Sequence, residues 1–194
     1  MSDQTLSSDR TPAHLVALFF DLGDTIMIKE SEIKDAEQTT TQTDLIPGIA
    51  EALHTFKAWG YPLALVADSR PRTPINVLKQ HGLPDLSDYL AISEVIGVSK
   101  PDPRLFCAAL DALSIAPSDH CRVVMVGNNL ERDIVGANRL GLISVHFYWN
   151  DRRRSQPLTE EEKPQYTVSS ASQLVPLIER LRSQNEENCL RCKT

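Results

Sequence analysis

The segment Val16-Ala-Leu-Phe-Phe-Asp-Leu-Gly-Asp-Thr25 joins a short apolar run to a polar turn. The run has the length and unbroken apolarity of a strand that is buried on both faces, as in parallel sheets. It ends at Asp21, and open α/β sheets bind their ligands at the carboxyl ends of such strands. We therefore expect a parallel sheet with a functional carboxylate at the end of its first strand.

Apolar runs alternate with segments of helical periodicity along the rest of the chain. This alternation predicts an α/β fold, a Rossmann-like doubly wound parallel sheet with helices on both faces. The predicted strands cover residues 14–20, 61–67, 89–92, 122–126, 142–147 and 166–168. The predicted helices cover residues 47–59, 73–81, 103–113, 130–140 and 171–181. Residues 26–46, which we call the flap, are too few for an independent domain, so we expect a short β-flap or loop and no large cap domain.

Length and charge limit the class of protein. The chain has 194 residues, of which 41% are hydrophobic, and a formal net charge of −6. We expect a core domain over residues 13–182, a disordered N-terminus over 1–12 and a flexible tail over 183–194. The negative charge argues against binding to a nucleic-acid backbone, and no apolar stretch approaches the ~20 residues that cross a bilayer. These features favour a cytoplasmic protein. The role of Cys189 and Cys192 in the tail is left open, because the pair has no neighbouring His or second pair to complete a zinc site.

Four separated motifs resemble those of the haloacid dehalogenase-like (HAD) hydrolase superfamily, in the family's order. They are Asp21 to Thr25, Ala67-Asp68-Ser69, Lys100 before Pro101, and the segment from Met125 to Asp133. The resemblance covers about residues 15–181 and implies that Asp21 is a nucleophile that forms a covalent intermediate. It implies further that Lys100 orients and neutralises this nucleophile, and that the hydroxyl of Thr25 belongs to the substrate-binding loop.

The chain departs from the family's phosphatases at three positions. Gly23 stands where they usually carry a second Asp, which acts as the general acid and base. Ala67 stands where a Ser or Thr hydroxyl binds the phosphoryl group, and Asn128 where an Asp usually ligates Mg²⁺. Asp24 is the only local candidate to activate water in place of the missing acid.

The resemblance implies a bound Mg²⁺. Its expected ligands are Asp21, the carbonyl of Gly23, Asn128 and Asp133. An Asn in place of an Asp removes one negative charge from a site for a hard divalent cation, so we expect metal binding to be weakened.

The expected substrate is anionic, either a small molecule or a phosphorylated macromolecule. Thr25, Lys100, Asp68, Ser69 and Arg70 are the candidate substrate-binding residues. Two groups of arginines, Arg70 with Arg72 and Arg152 to Arg154, follow predicted strands and would concentrate positive charge at the edge that holds Asp21. Without a cap the site would be open, so a homo-oligomer is an expected way to cover it.

Three functions fit these motifs. The first is a weak Mg²⁺-assisted phosphatase that acts through an aspartyl-phosphate. The second is a catalytically degenerate HAD domain with a binding or regulatory role, which the departures at Gly23, Ala67 and Asn128 favour. The third is carbon–halogen hydrolysis, which needs neither a second Asp nor a metal but generally needs a helical cap.

Overall fold

A six-stranded parallel sheet in the order β5-β4-β1-β6-β7-β8 forms the centre of the computed structural model, which describes residues 15–183. Its strands are β1 (Ala17–Phe20), β4 (Leu63–Ala67), β5 (Tyr89–Ile92), β6 (Val123–Gly127), β7 (Ile143–Phe147) and β8 (Tyr166–Val168). A separate antiparallel pair is formed by β2 (Ile33–Lys34) and β3 (Thr40–Gln42). The helices are α1 (Ile49–Ala58), α2 (Arg72–Gln80), α3 (Ser93–Ile96), α4 (Pro103–Ala112), α5 (Val135–Arg139) and α6 (Ala171–Ser183). The prediction of a doubly wound parallel sheet is confirmed.

The core lies in two layers, one on each face of the sheet. Successive side chains of a strand point to opposite faces, so Leu18 and Phe20 of β1 enter one layer while Phe19 enters the other. The first layer includes Phe56 of α1, whose ring centroid lies 6.2 Å from that of Phe20. The second includes Phe106 of α4. Burial on both faces explains why the strand sequences are continuous apolar runs.

Most predicted elements are found within three residues of their expected ends, with three differences. Helix α3 was not predicted. The expected helix over 130–140 begins instead as a π-helical turn, Leu130–Ile134, because the carbonyl of Asn129 accepts hydrogen bonds from the N–H groups of both Asp133 (2.9 Å) and Ile134 (3.3 Å). Helix α6 continues to Ser183, the first residue of the predicted tail. The predictions for residues 1–12 and for Cys189 and Cys192 lie outside the described residues.

The flap contains the hairpin of β2 and β3, which confirms a β-flap. It is fastened to α2 by side chains of that helix: the hydroxyl of Thr73 accepts from Thr40 N–H (3.2 Å), and Gln80 bonds both the N–H and the carbonyl of Thr43 (3.0 and 2.9 Å). Between β1 and α1, and between β4 and β5, the described chain contains no further domain. The expectation that a large cap is lacking holds for residues 15–183.

The topology brings two loops together at one edge. The chain runs from β1 outward to β4 and β5, then returns to β6 on the other side of β1. The crevice between the carboxyl ends of β1 and β6 is therefore the point where the winding direction reverses, which is the usual ligand site of such sheets. Asp21 follows β1 and Asn128 follows β6, so both belong to this crevice. Among the helices described, none combines the length and apolarity needed to cross a bilayer.

Candidate active site

A cleft of about 120 Å³ opens at the carboxyl edge of the sheet. This is about the liquid volume of four water molecules, enough for a phosphoryl group and a few further atoms. Nine of the ten predicted site residues line it: Asp21, Gly23, Asp24, Asp68, Ser69, Arg70, Lys100, Asn128 and Asp133. The tenth, Thr25, is fully buried and lies outside the lining. The substrate-binding role expected for Thr25 stays a prediction.

Lys100 is the centre of the charge network. Its Nζ lies 2.6 Å from Asp21 Oδ1, 2.7 Å from Asp133 Oδ1 and 2.8 Å from the carbonyl oxygen of Val66. Burial opposes the charged form of this ammonium, but Asp133, Asp21 and Asp68 outweigh that effect and raise the pKa of Lys100 well above its usual value. The ammonium therefore stays charged and holds Asp21 at the cleft, where the Asp21 side chain is 13% exposed.

Asp133 lies behind Lys100 in the π-helical turn. It is fully buried, and its Oδ2 accepts a hydrogen bond from Asn129 N–H at 2.9 Å. Burial raises the pKa of Asp133 to about 6, with a further contribution from the charge of Asp21 and an opposing one from Lys100. Gly127 makes this position available, because a Cβ at residue 127 would overlap the carboxyl carbon of Asp133.

The predicted metal ligands are oxygen donors of the kind that Mg²⁺ prefers. Asp21, Gly23 and Asn128 border the cleft together, but the two oxygens of Asp133 are engaged by Lys100 and by Asn129 N–H. Within residues 15–183, no three His, Cys, Asp or Glu side chains are grouped to hold a metal ion. These donors fit a weak site for a hard cation, in which Asp21 is the one available carboxylate among the predicted ligands. Direct ligation by Asp133 stays a prediction.

Asp24 adopts a left-handed backbone conformation, with φ of 54°, and is almost completely buried. Its Oδ1 accepts a hydrogen bond from Lys29 N–H at 3.1 Å, and its Oδ2 pairs with Arg152 Nε at 3.0 Å. Both oxygens are thus engaged in joining the first loop to the flap and to the loop after β7. The expected role of Asp24 in activating water stays a prediction.

The loop after β4 is organised by Asp68. Its Oδ1 accepts from the backbone N–H of Lys100 at 3.0 Å, and its Oδ2 pairs with Arg132 at 3.2 Å. The hydroxyl of Ser69 donates to the carbonyl of Arg70 at 3.2 Å. Ala67 borders the cleft with a methyl group at the position where the family's hydroxyl was expected. Asp68 therefore fixes the position of Lys100 in addition to lining the cleft.

Only two of the five arginines expected at this edge line the cleft, Arg70 and Arg153. Arg152 pairs with Asp24 and Glu30, and Arg154 forms a two-pronged pair with Glu162 at 2.6 and 2.7 Å. Arg72 lies outside the lining. Carboxylates thus neutralise Arg152 and Arg154, a pairing that sequence spacing does not reveal.

The sequence reasoning missed three cations that border the cleft. Arg132 lies in the π-helical turn, and Lys29 and Lys34 belong to the flap. The position of Arg132 next to Asp133 was a usable signal. The flap lysines carried none, because the path of the flap is set by its contacts with the rest of the protein.

Comparison with known proteins identifies the family. The model for haloacid dehalogenase-like hydrolases matches residues 6–141, and the chain belongs to this family. A glyceraldehyde 3-phosphate phosphatase from Pyrococcus furiosus is 29% identical over 142 residues, which is 73% of this chain and 58% of that protein. An (S)-2-haloacid dehalogenase 4A from Burkholderia cepacia is 26% identical over 179 residues, covering 87% and 74%.

Solved structures share the fold. A HAD phosphatase from Thermococcus onnurineus superposes with a TM-score of 0.70 at 17% identity, covering 87% of this chain and 100% of that one. The chain spans somewhat more than half the length of the first curated phosphatase that it matches. The expected family is confirmed, while activity and substrate are matters for a proposal.

Proposed function

We propose that the chain is a weak Mg²⁺-assisted phosphatase that acts through an aspartyl-phosphate on an anionic substrate. The observation that carries the proposal is the Asp21 carboxylate, accessible from the cleft and held 2.6 Å from a buried, charged Lys100. The name of the Pyrococcus furiosus relative supports a phosphate ester as substrate. A homo-oligomer that covers the open cleft remains part of the proposal.

The chemistry assigns a role to each charged group. An oxygen of Asp21 attacks the phosphorus, and the bond to the leaving alcohol breaks with its electron pair on the departing oxygen, which takes a proton from solvent. Lys100 neutralises the negative charge that Asp21 and the phosphoryl group bring together. Water then attacks the aspartyl-phosphate, which releases phosphate and restores the carboxylate.

Two features make this phosphatase weak: the lack of an acid at Gly23, and Asn128, which brings one negative charge fewer to the metal site than the Asp expected there. Gly23 supplies no acid for the leaving group, and a missing general acid or base costs about 10²- to 10⁴-fold in rate. Asp21, the Gly23 carbonyl and Asn128 would hold Mg²⁺, with Asp133 as the fourth expected ligand. When bound, the ion supplies positive charge to the phosphoryl oxygens. We therefore expect the best turnover with esters of acidic alcohols, whose oxygens leave without protonation.

The test is hydrolysis of p-nitrophenyl phosphate with Mg²⁺ by the wild type and by Asp21→Asn. We expect the variant to fall to the background rate, while Asp85→Asn, an exposed Asp outside the cleft, keeps wild-type turnover. Turnover that survives Asp21→Asn would overturn the proposal. The detection of a phosphoryl group bound covalently to Asp21 gives a second readout. Fluoroberyllate mimics the aspartyl-phosphate and should therefore block this phosphorylation.

A further variant separates a weakened enzyme from an inactive domain. A Cβ at residue 23 would overlap Cε of Lys29, so we propose to introduce the missing acid as Gly23→Asp together with Lys29→Ala. A strong rise in turnover relative to Lys29→Ala alone would show that only the general acid was missing.

The second candidate function is a degenerate HAD domain that binds a ligand without turning it over. The occupied oxygens of Asp24 favour it, because no free carboxylate then replaces the missing acid. Wild-type protein that binds fluoroberyllate with Mg²⁺ in calorimetry but hydrolyses nothing would establish this alternative. Chloride release from 2-chloropropionate would instead establish the carbon–halogen reaction.

A further inference from the structure

Lys29 occupies space that the glycine at position 23 leaves empty. The residue opens a short 3₁₀ turn of the flap, Lys29–Ser31, and its backbone N–H is fixed by Asp24. Its side-chain stem lies against Gly23, where an added Cβ would overlap Cε and stand 3.1 and 3.2 Å from Cδ and Cγ. The stem is therefore packed beside the first loop, and the side chain borders the same cleft as Asp21.

Three other cations that border the cleft already have carboxylate partners. Arg70 pairs with Glu94 at 3.3 Å, Arg132 with Asp68 at 3.2 Å and Lys34 with Glu32 at 3.5 Å. Among residues 15–183, by contrast, no carboxylate pairs with the ammonium of Lys29 or with the exposed guanidinium of Arg153. The cleft thus carries two positive charges beyond the one that Lys100 contributes to Asp21.

No carboxylate of the described residues neutralises these two charges, so they are available to anionic groups of a ligand. Lys100 already sits at Asp21, where the reacting phosphoryl group must lie. A cation in a partly closed cleft attracts a second anion, since fewer water molecules compete for it. In the family's phosphatases, the residue at the position of Gly23 protonates the leaving group. Lys29 lies against Gly23, so it is on the side of the cleft towards which the leaving portion of a substrate would extend.

We infer that Lys29 is a specificity-determining residue that binds a second anionic group on the leaving portion of the substrate. The substrate class is a phosphomonoester whose alcohol also carries a carboxylate or a second phosphate. Arg153, at the rim, assists with the longer members of this class. The inference rests on the proposed phosphatase function and deepens it.

The test compares three substrates built on the same two-carbon frame. They are 2-hydroxyethyl phosphate, which lacks a second anion, phosphoglycolate, which has a carboxylate, and ethane-1,2-diol bisphosphate. We expect kcat/KM of the wild type to favour one or both compounds that carry a second anionic group, and the comparison between them distinguishes a carboxylate site from a phosphate site. A charge-assisted contact is worth about 10- to 100-fold.

The variants are Lys29→Met, which keeps the stem that packs on Gly23, Lys29→Arg and Lys79→Met. We expect Lys29→Met to remove the preference by lowering kcat/KM about tenfold or more for the compounds with a second anionic group, with little change for 2-hydroxyethyl phosphate. Lys29→Arg should restore part of it. Lys79→Met removes the same charge from an exposed site outside the cleft and should leave all three values unchanged. An equal effect of Lys29→Met on all three compounds, or no effect, would overturn the inference.

A binding experiment separates this result from the proposed reaction. Calorimetry with phosphonoacetate and 2-hydroxyethylphosphonate compares a carboxylate with a hydroxymethyl group on ligands that cannot be hydrolysed. Tighter binding of phosphonoacetate that Lys29→Met abolishes supports the subsite even if Asp21→Asn shows that no phosphatase reaction exists. Equal binding of both ligands, in a protein with Asp21-dependent turnover, would overturn the subsite and leave the phosphatase standing.

Discussion

Lys100 Nζ lies 2.7 Å from Asp133 Oδ1, and the two side chains are 3% and 1% exposed. One ammonium thus serves two carboxylates, since Asp21 contacts it from the cleft side. Asp133 fixes Lys100 from behind, and Lys100 in turn fixes the reactive carboxylate. The position of Asp21 therefore depends on Asp133, through the ammonium that both carboxylates contact.

Replacing the ammonium should destabilise the whole protein. Lys100→Met leaves Asp21 and Asp133 facing each other without a counter-charge, and breaking a buried ion pair in this way costs about 3–5 kcal/mol in unfolding free energy. Lys57→Met is the matched control, because it removes a lysine from the surface pair with Asp88, where we expect about 1 kcal/mol or less. Urea denaturation at neutral pH measures both. Equal losses in the two variants would contradict the buried network.

The unfolding free energy of the protein should depend on pH through the protonation of Asp133. Burial raises the pKa of this carboxyl to about 6 from its ordinary value of 3.8, so the folded state binds the proton more tightly than the unfolded chain. The stabilisation is fully present below about pH 4 and is lost as the pH rises through about 6. We expect the unfolding free energy of the wild type minus that of Asp133→Asn to fall between these two pH values. A difference that grows with pH would show that the pKa is lowered instead.

Two variants decide what Asp24 does. If its pair with Arg152 positions the flap, Asp24→Asn and Arg152→Met should have similar effects, mainly a raised KM with kcat changed by less than about tenfold. If Asp24 activates water, Asp24→Asn alone should lower kcat by about 10²- to 10⁴-fold. The contacts lead us to expect the first result, with steady-state kinetics on p-nitrophenyl phosphate as the measurement.

Gly127 should tolerate no side chain. In Gly127→Ala the new methyl group overlaps Asp133, which must move away from Lys100. We expect a loss of about 1–3 kcal/mol in unfolding free energy, as for other overpacked cores, together with a fall in turnover of about tenfold or more. In an Asp133→Gly background the overlapping atoms are gone, so the same substitution should cost little further stability. A cost that persists there would place the strain elsewhere.

The sequence predicted the sheet well because its strands are buried on both faces. A continuous apolar run such as that before Asp21 identifies such a strand without knowledge of its neighbours. Asp21 and Asn128, which directly follow β1 and β6, were also predictable, since their position at the sheet edge follows from topology. Family motifs added Lys100, whose contact with Asp21 joins distant parts of the chain.

Other parts of the site depend on contacts that no local pattern encodes. The left-handed conformation of Asp24 is held by Arg152, which comes from the loop after β7. The π-helical turn at Asp133 depends on the Asn129 carbonyl, which accepts hydrogen bonds from the N–H groups of both Asp133 and Ile134. The burial of Thr25 likewise follows from how the first loop packs. Spacing places these residues near one another but does not determine which atoms meet.

The flap is anchored at both ends, to α2 through Thr73 and Gln80 and to the loop after β7 through Arg152. Because contacts at both ends hold the flap to the rest of the protein, we do not expect it to close over the cleft when a ligand binds. A ligand must then fit the cleft in its present shape and match its charges. A bulky phosphorylated compound enters only as far as its protruding phosphate can reach into the cleft.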